Sequence, residues 1–264
     1  MIPKKLWQTY ECEFELLPAY AKEAVETWTS LNPDWEYNYV TGPERRQFVE
    51  ENFDKEWLDI WDNKCPIKVM QADIWRVMVV YKYGGMYADL DTHCIIPINS
   101  WPNEDVLAHR VFLNAEHSSH LLSATFAAEP GHPAFESILN SMLREFHNPD
   151  FEYMHFVHKL TGPGAFTKGF YDFMGITDES FDWSGWDRNN PIDLVEEVEY
   201  FNNHPSIKES GIYLTNQYRL LHEVAVKQLY GSQNWNDGGY IQWINEREKV
   251  SQEYAEKRKK EQGA

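Results

Sequence analysis

Cysteine is scarce: the chain has three, Cys12, Cys65 and Cys94, odd in number and far apart. That excludes a disulfide framework and zinc-finger spacing, and it makes a reducing compartment the default. Basic charge is short as well. Lys and Arg number 24 against 42 Asp and Glu, for a net charge of −18. Nonspecific nucleic-acid binding needs a basic footprint, and so does attraction to an anionic membrane, so both partners are disfavoured. No apolar run reaches transmembrane length. Met1 leads straight into Ile2-Pro3-Lys4-Lys5-Leu6-Trp7, without the apolar core of a signal peptide. There is no internal repeat and no low-complexity linker. What remains, at 264 residues, is enough for one large α/β domain with a substantial core and too little for two full ones. Its 11 Trp supply rings that fill a core or stack on flat ligands.

The richest stretch is Ala72 to Asp91, ADIWRVMVVYKYGGMYADLD. Ile74, Val77, Met78, Val80 and Tyr81 recur at three- and four-residue steps, which predicts a helix with a wide buried face. Gly84 and Gly85 follow, and one of them can take the left-handed conformation that closes a helix. Met86 to Asp91 then reads as a short strand. Alternation puts Tyr87, Asp89 and Asp91 on one face, with the two aspartates about 7 Å apart at the backbone. Two carboxylates so placed make a hard-oxygen site of the kind Mg²⁺ or Mn²⁺ prefers, completed by phosphates and water. That spacing favours a division of labour in which one carboxylate binds metal and the other reaches a water or hydroxyl. The competing reading is a strand end whose aspartates cap a turn. On the helix, Asp73 and Arg76 stand three residues apart and are surface neighbours.

Elsewhere the order of elements predicts a doubly wound sheet, whose ligands sit at the carboxyl ends of its strands. Lys5 to Tyr10 reads as the first strand and Trp35, Tyr37 and Tyr39 as the second. Helices are expected around Tyr20–Trp28, after Pro43, and from Asp54 to Asp62. Ile95 to Ile98, Val111 to Asn114, Ser123 to Ala128 and Val195 to Tyr200 read as further strands. Ala134 to Phe146 reads as a helix entered through the turn Pro130-Gly131-His132-Pro133, with His132 a turn residue. His155 and His158, three apart, could meet on a helix as metal ligands do, but no third ligand is obvious and a structural role is the favoured reading. Thr161-Gly162-Pro163-Gly164 opens another helix with Thr161 as its cap, and this loop can border a ligand. Asn216 to Tyr230 reads as a helix. Residues 246–264 form a charged helix or tail, so the expected division is a domain over 1–245 and this appendage.

The set Ala72-Asp73, Arg76, Tyr83-Gly84-Gly85, Tyr87 and Asp89-Leu90-Asp91 resembles the core signature of family 32 glycosyltransferases, the sugar-binding-region proteins with a DXD motif. It also resembles the related arrangement in clostridial glucosylating toxins. Ile2-Pro3-Lys4, Trp7-Gln8, Tyr10 and Asn32-Pro33-Asp34-Trp35 add to the likeness, which is dense over roughly the first hundred residues. The resemblance implies a single-domain GT-A fold, a Rossmann-like mixed sheet flanked by helices. It implies a retaining enzyme that moves a hexose from a UDP- or GDP-linked sugar to a glycan or other hydroxyl acceptor, with Mn²⁺ or Mg²⁺. Asp91 would bind the metal, and Asp89 the ribose or a metal-bound water. Asp73 and Arg76 would hydrogen-bond sugar hydroxyls, and Tyr10, or failing it Trp7, would stack on the base. The family closes with a Gly-Ser-Trp-like element, matched here by Gly231-Ser232-Gln233-Asn234-Trp235. Ser232 or Asn234 would complete the metal shell, and Trp235 would reach the β-phosphate. Lys227 stands where the family often has a histidine, so His222 is a further candidate. Many eukaryotic members of the family it resembles are Golgi membrane proteins. The lack of an anchor here leads to the expectation of a soluble cytoplasmic enzyme of bacterial or viral origin, or else of a chain trimmed of its anchor.

Two other readings compete. Asp89-Leu90-Asp91-Thr92 partly matches the nucleophile motif of haloacid-dehalogenase phosphohydrolases, but Cys94 stands at its last position and Gly84-Gly85 interrupts the apolar strand that motif needs. A non-catalytic carbohydrate-binding relative is the third.

Overall fold

The computed structural model describes residues 1–101, 106–112, 119–153, 155–175, 212–215, 226–228 and 240–262. Among them β1 (Lys5–Tyr10), α1 (Ala19–Leu31), β2 (Glu36–Thr41), α2 (Gly42–Asn52), α3 (Lys55–Asp59) and α4 (Lys68–Tyr83) follow one another. Then come β3 (Gly85–Ala88), β4 (Thr92–Cys94), β5 (Val106–Phe112), β6 (Ser119–Ala128), α5 (Pro133–His147), α6 (Phe156–Leu160) and α7 (Pro163–Met174). β7 (Ile212–Thr215), β8 (Val226–Gln228) and α8 (Tyr240–Glu261) complete the set.

Six strands form one mixed sheet in the order β2-β1-β3-β6-β5-β7, and β4 pairs separately with β8. β1 runs parallel to both β2 and β3, while β6 is antiparallel to β3. Alternation along the strands feeds two cores. Trp7, Tyr87, Phe126 and Ala128 face the layer of α4, α5 and α7. Leu6, Met86, Ala88 and Ala127 face Trp28 of α1 and Trp101.

Helix α4 is the central pillar, with ten buried residues from Met70 to Val80. It stops at Gly84, φ 65°, whose N–H donates to the Val80 carbonyl at 2.8 Å. Gly85 also has positive φ, 100°, and a Cβ there would lie 2.5 Å from the Lys5 carbonyl. Only glycine lets β3 lie this close to β1.

Several expectations are corrected. β3 ends at Ala88, so Asp89-Leu90-Asp91 is not strand but a turn closed by the Thr92 N–H on the Asp89 carbonyl at 3.1 Å. Ile95 to Ile98 is not strand either: the strand is Thr92–Cys94, and Ile98–Ser100 is a single 3₁₀ turn. Thr161 does not cap α7, whose N-cap is Gly162. His155 is the N-cap of α6 and His158 lies within that helix. The helix expected over Asn216–Tyr230 contains strand β8, paired antiparallel to β4 with Lys227 opposite His93. The strand expected over Val195–Tyr200 lies outside the described residues. α8 begins at Tyr240 and is more than a solvated tail, because Val250 and Tyr254 pack on the main core and Phe151 meets the Tyr254 ring edge-on at 5.3 Å. His132, as expected, sits in the turn, where its ring accepts from the Ala134 N–H at 3.2 Å.

Candidate active site

The carboxyl ends of β1 and β3 open into a cleft of about 250 Å³. β1 contributes Thr9 and Tyr10, the start of α1 contributes Tyr20 and Ala21, α4 contributes Ala72 and Arg76, and the turn after β3 contributes Asp89 and Asp91. This is where a parallel segment of sheet presents its ligand site.

Asp89 is held at both ends. Its N–H donates to the Ala124 carbonyl at 2.7 Å, and its carboxylate accepts the Tyr87 hydroxyl at 2.7 Å. The Arg76 guanidinium lies 3.2 Å from the same carboxylate. Arg76 also donates to the Ser123 carbonyl at 2.9 Å and pairs with Asp73, which in turn accepts the Thr161 hydroxyl at 3.1 Å. The Arg76 guanidinium packs over the Tyr87 ring, 5.1 Å from its centroid.

One positive charge is therefore paired with two carboxylates, Asp73 and Asp89, and felt by a third, Asp91. Burial acts against the Arg76 charge, but Asp89, Tyr87 and Asp73 more than offset it and keep the guanidinium protonated. Burial, opposed by Arg76, pushes Asp73 up to about 6. Burial and the neighbouring Asp89 push Asp91 up to about 7, and burial raises Asp89 as well. The excess negative charge and the hard oxygen donors fit a divalent cation. Among the described residues no cluster of three or more His, Cys, Asp and Glu could hold one, so phosphate and water oxygens would have to complete the shell.

The structure sorts the expected residues. Arg76, Asp89, Asp91 and Tyr10 line the cleft together. Asp73 is 5% exposed and stands behind Arg76. It belongs to a buried network, not to the surface pair that its spacing suggests. Trp7 is corrected outright as a base-stacking candidate. It is buried on the α4 side of β1, its indole N–H donates to the Gly84 carbonyl at 2.9 Å, and its ring stacks on Tyr83. Ser232, Asn234, Trp235 and His222 lie outside the described residues. Sequence reasoning passed over Thr9 and Tyr20 in the cleft wall and the Thr161 bond to Asp73, for which no local pattern gives a signal. Gln8, noted only as part of a motif, donates to the Asp89 carbonyl at 3.2 Å.

Residues 18–108 match the family model described as glycosyltransferase sugar-binding region containing DXD motif. Over that stretch, about a third of its length, the chain is similar to this DXD glycosyltransferase family. It is 25% identical over 248 residues to inositol phosphoceramide mannosyltransferase 2 of Schizosaccharomyces pombe, covering 93% of this chain and 62% of that protein. It is 31% identical over 144 residues to a mannosyl phosphorylinositol ceramide synthase of Saccharomyces cerevisiae, covering 54% of this chain and 35% of the other. The chain thus spans less than two thirds of the length of these curated relatives. The solved PaToxG glycosyltransferase superposes with a TM-score of 0.51 at 14% identity, over 83% of each chain, which establishes the fold as GT-A type. The expectation of a cytoplasmic enzyme of bacterial or viral origin is corrected. These relatives are fungal, a further one is from Acanthamoeba polyphaga mimivirus, and they lend no support to a bacterial source. Among the described residues no helix is long and apolar enough to cross a membrane.

Proposed function

We propose that this chain transfers a hexose, mannose first among candidates, from a nucleoside-diphosphate sugar to a glycan or other hydroxyl acceptor, with retention and with Mn²⁺ or Mg²⁺. The observation that carries it is the cleft itself: Asp89, Asp91 and Arg76 converge where β1 and β3 end, with carboxylate charge in excess. The relatives, named for mannosyl transfer, put GDP-mannose first among donors and UDP-hexoses next.

Each residue then has a task. Tyr10, at the rim, stacks on the base. Arg76 offers guanidinium N–H groups to the sugar hydroxyls, and Asp73 and Thr161 hold it in place from behind. Asp89 would face the ribose or the metal's water shell, and Asp91 would hold the cation. A bound divalent cation would neutralise charge that develops on the departing diphosphate. Asp89 and Asp91 are committed to that end of the donor. Among the described lining residues no further carboxylate is placed to attack the sugar, which favours same-face departure and return. Ser232, Asn234 and Trp235 are proposed to complete the metal and phosphate contacts.

The test is a thermal-shift panel of UDP- and GDP-sugars with and without Mn²⁺, followed by donor turnover. GDP-mannose with Mn²⁺ should raise the melting temperature, and neither should do so alone to the same extent. Indifference to every nucleotide sugar, together with turnover of p-nitrophenyl phosphate, would return the assignment to the phosphohydrolase reading.

A further inference from the structure

Gln8 is fully buried in the middle of β1. A buried amide needs partners at both ends, and Gln8 has them. Its Oε1 accepts the Tyr37 hydroxyl from β2 at 3.1 Å. Its Nε2 donates to the main-chain carbonyl of Asp89 at 3.2 Å. The amide orientation follows from the partners, since a carbonyl oxygen only accepts. A chain of side-chain bonds therefore starts on β2, crosses β1 and ends on the residue that opens the aspartate turn.

That carbonyl is also where the turn is closed. It accepts the Thr92 N–H at 3.1 Å and the Thr92 hydroxyl at 2.5 Å. The Thr92 bonds are local: they hold the turn's shape but do not tie it to the sheet. Two bonds tie it to the sheet: the Asp89 N–H reaches the Ala124 carbonyl of β6, and Gln8 holds the Asp89 carbonyl from β1. The Asp89 carboxylate is held by other groups, Tyr87 and Arg76. The main chain and side chain of Asp89 are thus fixed independently, from opposite sides of the turn.

We propose that Gln8, backed by Tyr37, is a positioning residue that sets the pitch of the Asp89–Asp91 turn and so the relative placement of the two carboxylates. Its consequence for metal rests on the proposed transferase reading of Asp89 and Asp91. Gln8 touches neither donor nor metal and acts through the carbonyl of Asp89. Groups behind metal ligands commonly change metal affinity by about 10- to 100-fold when removed.

The experiment uses the full chain with Gln8→Met, Gln8→Glu and Tyr37→Phe. Free Mn²⁺ is titrated by electron paramagnetic resonance in the presence of GDP. Amide exchange at Thr92, the melting temperature, and donor KM and kcat are measured alongside. Gln8→Met keeps the volume and removes both bonds. It should weaken Mn²⁺ binding about tenfold and speed exchange at Thr92 while melting close to the parent. Gln8→Glu keeps the acceptor for Tyr37 but sets an oxygen against the Asp89 carbonyl, and should lose at least as much. Tyr37→Phe should lose about threefold, as expected for one hydrogen bond. A Gln8→Met chain with parental Mn²⁺ affinity and parental exchange overturns the proposal. If Gln8→Met does not fold, Tyr37→Phe decides by the same two readouts. A parent that ignores Mn²⁺ under every nucleoside diphosphate sinks the transferase reading. The exchange data still support or overturn the positioning role on their own.

Discussion

Two buried neighbourhoods share this sheet, and Tyr87 belongs to both. Its ring stacks on Phe126 at 5.5 Å, and its hydroxyl donates to Asp89. On the Phe126 side the neighbours are apolar: Phe166 lies at 5.1 Å and Phe135 at 5.3 Å, with Ile138, Met142 and Phe170 also buried. On the Asp89 side they are polar: Gln8, Arg76, Asp73 and Thr161 are all buried and bonded to one another or to main chain. Apolar contacts stabilise in proportion to area and tolerate small shifts. Buried polar groups contribute little net stability, but each demands its partner in place. One side of Tyr87 holds the fold together, and the other fixes a geometry at some cost in stability.

The largest effect expected from breaking this contrast is on the polar side. Asp91→Asn should lower transfer by at least about a thousandfold, the scale for losing a group that stabilises transition-state charge. The melting temperature should hold or rise, because one of the carboxylates around a single guanidinium is gone. A variant with near-parental transfer would remove Asp91 from the site. Phe166→Ala is the counterpart. Cavity formation at this fully buried ring should cost about 3–5 kcal/mol in urea unfolding. The fraction that remains folded should keep its donor affinity, so a large rise in donor KM would show that the two neighbourhoods are not separable. The smallest effect is a pH dependence. The folded chain keeps the Asp73 proton up to about pH 6, whereas the unfolded chain releases it near 3.8. Between those values the folded state binds more protons at Asp73, so its part of the stability falls by about 3 kcal/mol as pH rises from about 4 to about 6, and Asp91, raised to about 7, adds a separate fall that continues to higher pH. Asp73→Asn should remove that slope, which unfolding curves at a series of pH values would detect; an unchanged slope would assign it to other carboxylates.

Much of this is legible in the sequence. Helix α4 is readable because its apolar positions repeat over sixteen residues and a glycine pair ends it. β2 is readable from the alternation of Trp35, Tyr37 and Tyr39, whereas β1, buried at four successive positions, shows none. The carboxylates of the site are readable by residue but not by conformation. Period-two alternation carries Asp89 and Asp91 onward as strand, whereas the Thr92 hydroxyl folds them into a turn, a local bond that alternation does not register. Trp7 is a stacking candidate only through the family resemblance, since an aromatic within a strand serves core and ligand equally well, and the bond to Gly84 that decides between them joins distant positions. β8 was missed for a similar reason. Three residues are too few to show a period, and their extended state is set by the partner strand β4. The shared guanidinium is an outcome of the fold: spacing puts Asp73 beside Arg76, but only the sheet brings Asp89 to the same side chain.

The pairing of β4 with β8 has a consequence for the order of assembly. β4 leaves the aspartate turn directly, and its neighbour comes from the far end of the chain. During synthesis the earlier part folds first. β2, β1, β3, β6 and β5 can therefore be joined while Val226–Gln228 is still inside the ribosome, and contacts so distant in sequence are slow to close. The emerging chain passes through a stage in which Asp89 and Asp91 are in place and the strand beyond them has an open edge. Stopping translation before and after β8, and reading protease sensitivity at β4 each time, would time that closure.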